Sequence, residues 1–143
     1  MAEQTPADFL QRGRSFMRRG ENHAPWPPSS AERRRFKSFF GVNPEIIALL
    51  WGILVDFSLV RDDDDIDGLL YAMMFLKIYA VEVVLCALAG GIDEKKFRDA
   101  SWHYVEAIAE LSYTLVRSSS SCLNHIYFTN DLLIYYISFF LIQ

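Results

Sequence analysis

The residues able to do chemistry in this chain are mostly charged, and two clusters of cations mark it. Arg33, Arg34 and Arg35, followed by Lys37, form one, and Lys95, Lys96 and Arg98 form the other, four residues before Trp102. Guanidinium and ammonium groups at these spacings make and break no bonds; they neutralise phosphates and donate to base edges. The acidic run Asp62 to Asp65 invites a metal reading. Hard-cation sites need oxygen ligands at alternating loop positions, a turn glycine and a terminal carboxylate. The run has none of these and reads as a solvated loop. His23, His103 and His125 have no carboxylate or cysteine at ligand spacing, and Cys86 and Cys122 lie 36 residues apart with no CxxC. A zinc ribbon and a disulfide scaffold are thereby excluded. Cys86 falls on an apolar face and reads as a small core residue, with no base or oxyanion donors near it. The sequence therefore predicts no catalytic residue, metal ligand, cofactor or small-molecule substrate. Binding is the chemistry that remains.

The net charge of −4 over 143 residues hides three segments. Residues 1–41 hold eight Arg/Lys and four acids, residues 42–117 hold six and thirteen, and residues 118–143 hold a single acid, Asp131, and no Lys or Arg. These read as a basic, proline-containing flexible head and linker over 1–29, a helical module over 30–117 that carries the last part of the basic run, and an apolar tail over 118–143. A chain of this length buries about two-thirds of its unfolded surface and needs no staple. Met1 to Arg19 lacks the apolar run of a signal peptide, so a reduced intracellular setting is expected.

The elements that must position the cations read as helices. A short amphipathic helix is expected from Thr5 to Met17, with Pro6 in its first turn and Phe9, Leu10 and Phe16 as its apolar residues. Gly20 to Ser30, with three prolines, reads as a linker whose Trp26 lies on a neighbouring surface, and the ordered domain is expected to start after it. Ser29 and Glu32 have capping-box spacing ahead of a helix from Ala31 to Phe40 that stops at Gly41. Asn43 and Pro44 open the next helix, which runs to Val55 with Ile46, Leu49, Leu50, Ile53 and Leu54 as its buried face. Further helices are expected from Leu69 to Tyr79 and from Val81 to Ala89. Asp93 then caps a long one from Glu94 to Leu115, with Phe97, Tyr104, Val105, Ile108, Leu111 and Leu115 facing the core. No segment of the body reads as a central strand, so the fold class is all-α, a multi-helix bundle with a hydrophobic C-terminal tail.

Glu82 to Ile108 has the plan of a helix-turn-helix: a short helix, the glycine pair Gly90-Gly91, and a longer helix. Ala87 is expected where the two helices cross, Gly91 in the turn, and Ile92 and Phe97 between the helices. Lys95, Lys96, Arg98, Asp99, Trp102 and His103 are expected on the exposed face of the second helix. A plain helical hairpin satisfies the same pattern, and Glu94, Asp99, Glu106 and Glu110 weaken any attraction to phosphates. The arginines near the start would add sequence-independent phosphate contacts.

Three segments, Phe39 to Trp51 (FFGVNPEIIALLW), Leu69 to Tyr79 (LLYAMMFLKIY) and Glu82 to Leu111, resemble the region N-terminal to the catalytic domain in Harbinger-type transposases of the DDE superfamily. The resemblance spans residues 33–115. It rests on the ordered series Phe-Gly-Val, Trp51, Phe-Leu-Lys-x-Tyr, Ala-Gly-Gly-x-Asp, Phe97-Arg98 and Trp102. In that family the region is a helical module recognising transposon ends, so the resemblance implies duplex DNA as partner and places Lys95, Lys96, Arg98 and Trp102 on the DNA-reading helix; the charge of Arg33, Arg34 and Arg35, not the resemblance, assigns them to phosphates. The family continues with a ribonuclease-H-like domain whose three acids hold two metals. Here Arg117 is followed by SSSSCLNHIYFTNDLLIYYISFFLIQ, which lacks that motif. The expectation is a non-enzymatic, truncated relative whose tail arises from a frameshift, an unspliced intron or a premature stop. The alternative is a small protein-interaction or membrane-associated module acting through the tail, with self-association as its outcome. Leu132 to Gln143 is charge-free but, at twelve residues, shorter than the roughly twenty a spanning helix needs. Arg18-Arg19 and Arg33 to Lys37 also resemble a two-part nuclear import signal, so a nuclear or cytoplasmic location is expected, with membrane association as the alternative.

Overall fold

A computed structural model describes residues 4–17, 25–61, 64–78 and 80–119, with side chains to Thr114. The described chain is all-helical: α1 (Pro6–Phe16), α2 (Ser30–Phe40), α3 (Pro44–Asp56), α4 (Ile66–Lys77), α5 (Glu82–Leu88) and α6 (Glu94–Ser119) form a multi-helix bundle. The expected helix from Leu69 starts a turn earlier, at Ile66, because Asp65 caps it, accepting from the Asp67 and Gly68 amides. Asp62 and Asp63 of the aspartate run, Tyr79, Arg18, Arg19, His23, Cys122, His125 and the tail from residue 120 lie outside the described residues.

Local signals set most boundaries. Ser29 and Glu32 form the expected reciprocal capping box, and Thr5 and Asp8 form a second one ahead of α1. Gly41, at φ 85°, ends α2 in the left-handed conformation that an L side chain adopts only at a cost. Asn43 occupies the N-cap of α3, but its side chain makes no capping hydrogen bond. The buried face of α3 is rotated from the expected one. Ile47, Leu50, Trp51 and Leu54 are buried, Ile46 and Ile53 only partly, and Leu49 is exposed. The helix is apolar all round, so periodicity alone cannot select a face; Trp51, the largest side chain, takes the interior.

Aromatic rings show how the bundle closes. One series runs Phe36, Phe40, Phe16, Tyr71, Phe97 with successive centroids 4.6, 6.4, 5.4 and 5.4 Å apart, joining α2, α1, α4 and α6. A second runs Phe9, Trp51, Tyr104 at 6.1 Å per step, joining α1, α3 and α6. Helix α1 belongs to both. Phe9, Leu10 and Phe16 are buried, and Arg12 and Arg14 form ion pairs with Asp67 of α4 and Glu32 of α2. The packed body therefore includes α1, which falls within the segment expected to be a flexible head, because a break in the chain at the prolines does not break the core. Two close approaches need glycine. A Cβ on Gly13 would lie 2.5 Å from a Phe36 ring carbon, and one on Gly68 would lie 2.5 Å from a Tyr104 ring carbon where α4 meets α6.

Candidate nucleic-acid interface

Helix α5, a glycine turn and α6 follow one another as expected. Gly90 and Gly91, at φ 91° and 82°, make the turn, and the Gly91 amide donates to the Cys86 carbonyl at 2.8 Å. Ile92 packs on the core and Phe97 is fully buried. Ala87 is exposed, contrary to its expected place at the crossing. Leu85, Cys86 and Ala89 are the buried residues of this segment, and their spacing turns the position between them outward. Burial pushes the Cys86 thiol up, and Glu94, Glu82 and Asp93 add to this, an environment that disfavours the thiolate.

The long helix begins at a cap. Asp93 accepts from the backbone amides of Lys95 and Lys96 at 3.0 and 3.2 Å, so the helix start is held while both lysine side chains are exposed, and neither pairs with any described carboxylate. Arg98 is also exposed but engaged: its Nε donates to Glu82 Oε1 and Oε2 at 2.9 and 3.1 Å, and its Nη2 donates to Oε2. That fork pulls the Glu82 carboxyl below its usual range. Trp102 is 47% exposed and rests its ring 5.6 Å from that of Phe75 in α4. His103 is not on the open face. It is half-buried, with Nε2 2.9 Å from Asp64 Oδ2.

Among the described residues, one hollow borders α6 toward α4 and another toward α5. The one toward the start of α4, about 530 Å³, carries Asp64, Asp65, Asp67, Asp93 and Asp99 as well as Lys95 and Lys96. Most of these carboxylates are already committed. Asp65 and Asp93 cap helices, Asp67 binds Arg12 and Asp64 binds His103 and the Arg61 amide. The other hollow, toward α5, is bordered by Lys95 and Arg98. Lys95 thus stands on the ridge between them. Lys95, Arg98 and Trp102, three and four apart, share one stripe of α6, whereas Lys96 lies on the aspartate side.

Compared with known protein families, with curated proteins and with solved structures, the chain matches none. The geometry of its own residues is what bears on function.

The arginines of α2 divide in the same way as the α6 cations. Arg33 pairs with Glu45 at the start of α3 and lies 5.9 Å from the Trp26 ring centroid, which places that linker tryptophan on α2 as expected. Arg34 and Arg35 are exposed, without an ion pair to any described residue. Glu82 and Asp64, which hold Arg98 and His103, are the residues that sequence reasoning missed. Their partners lie 16 and 39 positions away, and only the first separation carries a signal, since a helical hairpin brings the start of α5 toward the early turns of α6. No group of three or more His, Cys, Asp or Glu residues among those described is arranged to hold a metal. No single described helix is long and apolar enough to cross a membrane.

Proposed function

We propose that this chain is a DNA-binding module, akin in plan to the transposon-end-binding region of Harbinger-type transposases, that engages duplex DNA with no catalytic step. The observation supporting it is the outer stripe of α6 after the short helix and glycine turn. Lys95 is exposed and unpaired at the first turn, with Arg98 and Trp102 following on the same side. In a helix-turn-helix the early residues of the second helix meet the major groove. Arg34 and Arg35 supply phosphate contacts that carry no sequence information. Lys96 serves the backbone on the aspartate side of the helix.

A gel shift of the full chain with random duplex and with duplex bearing transposon ends, at rising salt, tests the reading. Binding is expected at low salt and weakens steeply as ionic strength rises. Replacing Lys95 by Gln is expected to reduce the slope of log K against log salt by about one unit. Absence of binding to both duplexes at low salt would overturn the proposal.

A further inference from the structure

We infer that Glu82 is a positioning residue for nucleic-acid binding: it holds Arg98 back from phosphate, so that the one guanidinium among the described side chains of α6 is latent in the free chain. This rests on the DNA-binding reading above and specifies how the α6 stripe is used.

The geometry separates the cations of that stripe into two kinds. Lys95 points from the ridge with its ammonium unpaired, ready for a first contact. Arg98 spends two of its nitrogens on both oxygens of one carboxylate, the fork geometry that a phosphate would otherwise take. Nearer acids do not take this place. Glu94 lies one helical turn before Arg98 and Asp99 adjoins it, yet the guanidinium reaches across the turn to α5. The pair joins the first residue of α5 to the second turn of α6, so it also fixes the direction in which Arg98 leaves the helix. It is open to exchange, because the Arg98 and Glu82 side chains remain 48% and 30% exposed, and exposed ion pairs give way to salt and to competing anions. To reach DNA, Arg98 must leave Glu82, and the carboxylate left behind then faces the phosphates and repels them. Glu82 therefore acts on affinity twice, through one side chain that need never touch DNA.

The test is a cycle of full-chain variants in the same gel shift. Glu82→Gln is expected to bind random duplex about threefold to fivefold more tightly at low salt, the worth of an exposed ion pair read as affinity. The slope of log K against log salt is expected to steepen by about 0.9, one further phosphate neutralised. The loss caused by Arg98→Gln is expected to be larger in the Glu82→Gln background than in the natural chain. Glu110→Gln, which removes an exposed carboxylate of α6 remote from Arg98, controls for overall charge and is expected to change binding less than about twofold. Circular dichroism melts check that each variant is folded. Were Glu82→Gln no tighter than Glu110→Gln, or equally tight with and without Arg98, the latch would be overturned while binding sensitive to Lys95→Gln kept the DNA reading. Failure of both the natural chain and Glu82→Gln to bind would overturn the two together. Binding by Glu82→Gln where the natural chain binds poorly would support both.

Discussion

Three glycines inside helices look alike in the sequence, and their environments assign them different roles. Gly13 and Gly68 lie where buried rings press on the backbone: Phe36 and Phe40 against the first, Tyr104 against the second. Gly52 faces open space, with no atom near the position of an added Cβ. Alanine in a helix interior gains about 1 kcal/mol over glycine when nothing opposes it, while overpacking a core costs about 1–3 kcal/mol. Gly68→Ala and Gly13→Ala are therefore expected to lower stability by about 1–2 kcal/mol net, the ring contact outweighing the propensity. Gly52→Ala is expected to raise it by up to about 1 kcal/mol. Urea denaturation of the three variants checks the signs, and a stabilised Gly68→Ala would show that Tyr104 can yield. At this scale the residue types were legible but their neighbours were not. Trp102 and Lys95 lie on the outside of α6, where their spacing predicts them. Arg98 does too, but the carboxylate that holds it lies in another helix. His103 was expected on the same face and is drawn instead onto Asp64, a contact 39 positions away that no helical period encodes.

Helix ends carry their signals unevenly. Gly41 and Gly90 announce the stops of α2 and α5, and both adopt positive φ. The end of α3 carries no glycine, yet it closes in the same manner. The Leu59 amide donates to the Leu54 carbonyl and the Ser58 amide to the Val55 carbonyl, both at 2.9 Å, with Ser58 at φ 56°. This is a Schellman closure, in which the left-handed position is normally glycine. The two positions that carry apolar residues in such closures are Leu54, which is fully buried, and Leu59, which packs on the core. Packing of Leu59 and Val60 thus holds Ser58 in a conformation that its Cβ opposes. Ser58→Gly is expected to stabilise the protein by about 0.5–1 kcal/mol, part of the 1–2 kcal/mol cost of the left-handed region being returned to unfolded-chain entropy. A thermal melt raised by a few degrees would agree, and a lowered one would mean that the serine side chain contributes more than its backbone costs. The rotated face of α3 has a related cause. Both its end and its orientation are set by tertiary contacts, which is why the sequence showed the helix but neither of these.

For the whole molecule, the consequence that matters most is where the folded body starts. The sequence divides at Pro25, Pro27 and Pro28, and a boundary at residue 30 follows naturally from composition. The core disregards that boundary, since α1 enters both aromatic series and Phe9, Leu10 and Phe16 are at most 5% exposed. Burying such side chains contributes about 1.5–3 kcal/mol each, so together they rival the ~5–15 kcal/mol that holds a domain of this size folded. A chain beginning at residue 30 is therefore expected to lose cooperative thermal unfolding by circular dichroism. In the full chain, Phe9→Ala is expected to cost about 3–5 kcal/mol. A 30–143 fragment that melts cooperatively near the temperature of the full chain would return α1 to the status of an appendage. The result also governs how the binding proposal is tested. The Tyr71 ring lies 5.4 Å from that of Phe16 and 5.4 Å from that of Phe97, so α1 supports the beginning of α6, where Lys95 and Arg98 reside. Deleting α1 would loosen the helix that presents them. A fragment starting at residue 30 that failed to shift DNA would then report on the missing helix, whereas the full chain with Lys95→Gln reports on the interface itself.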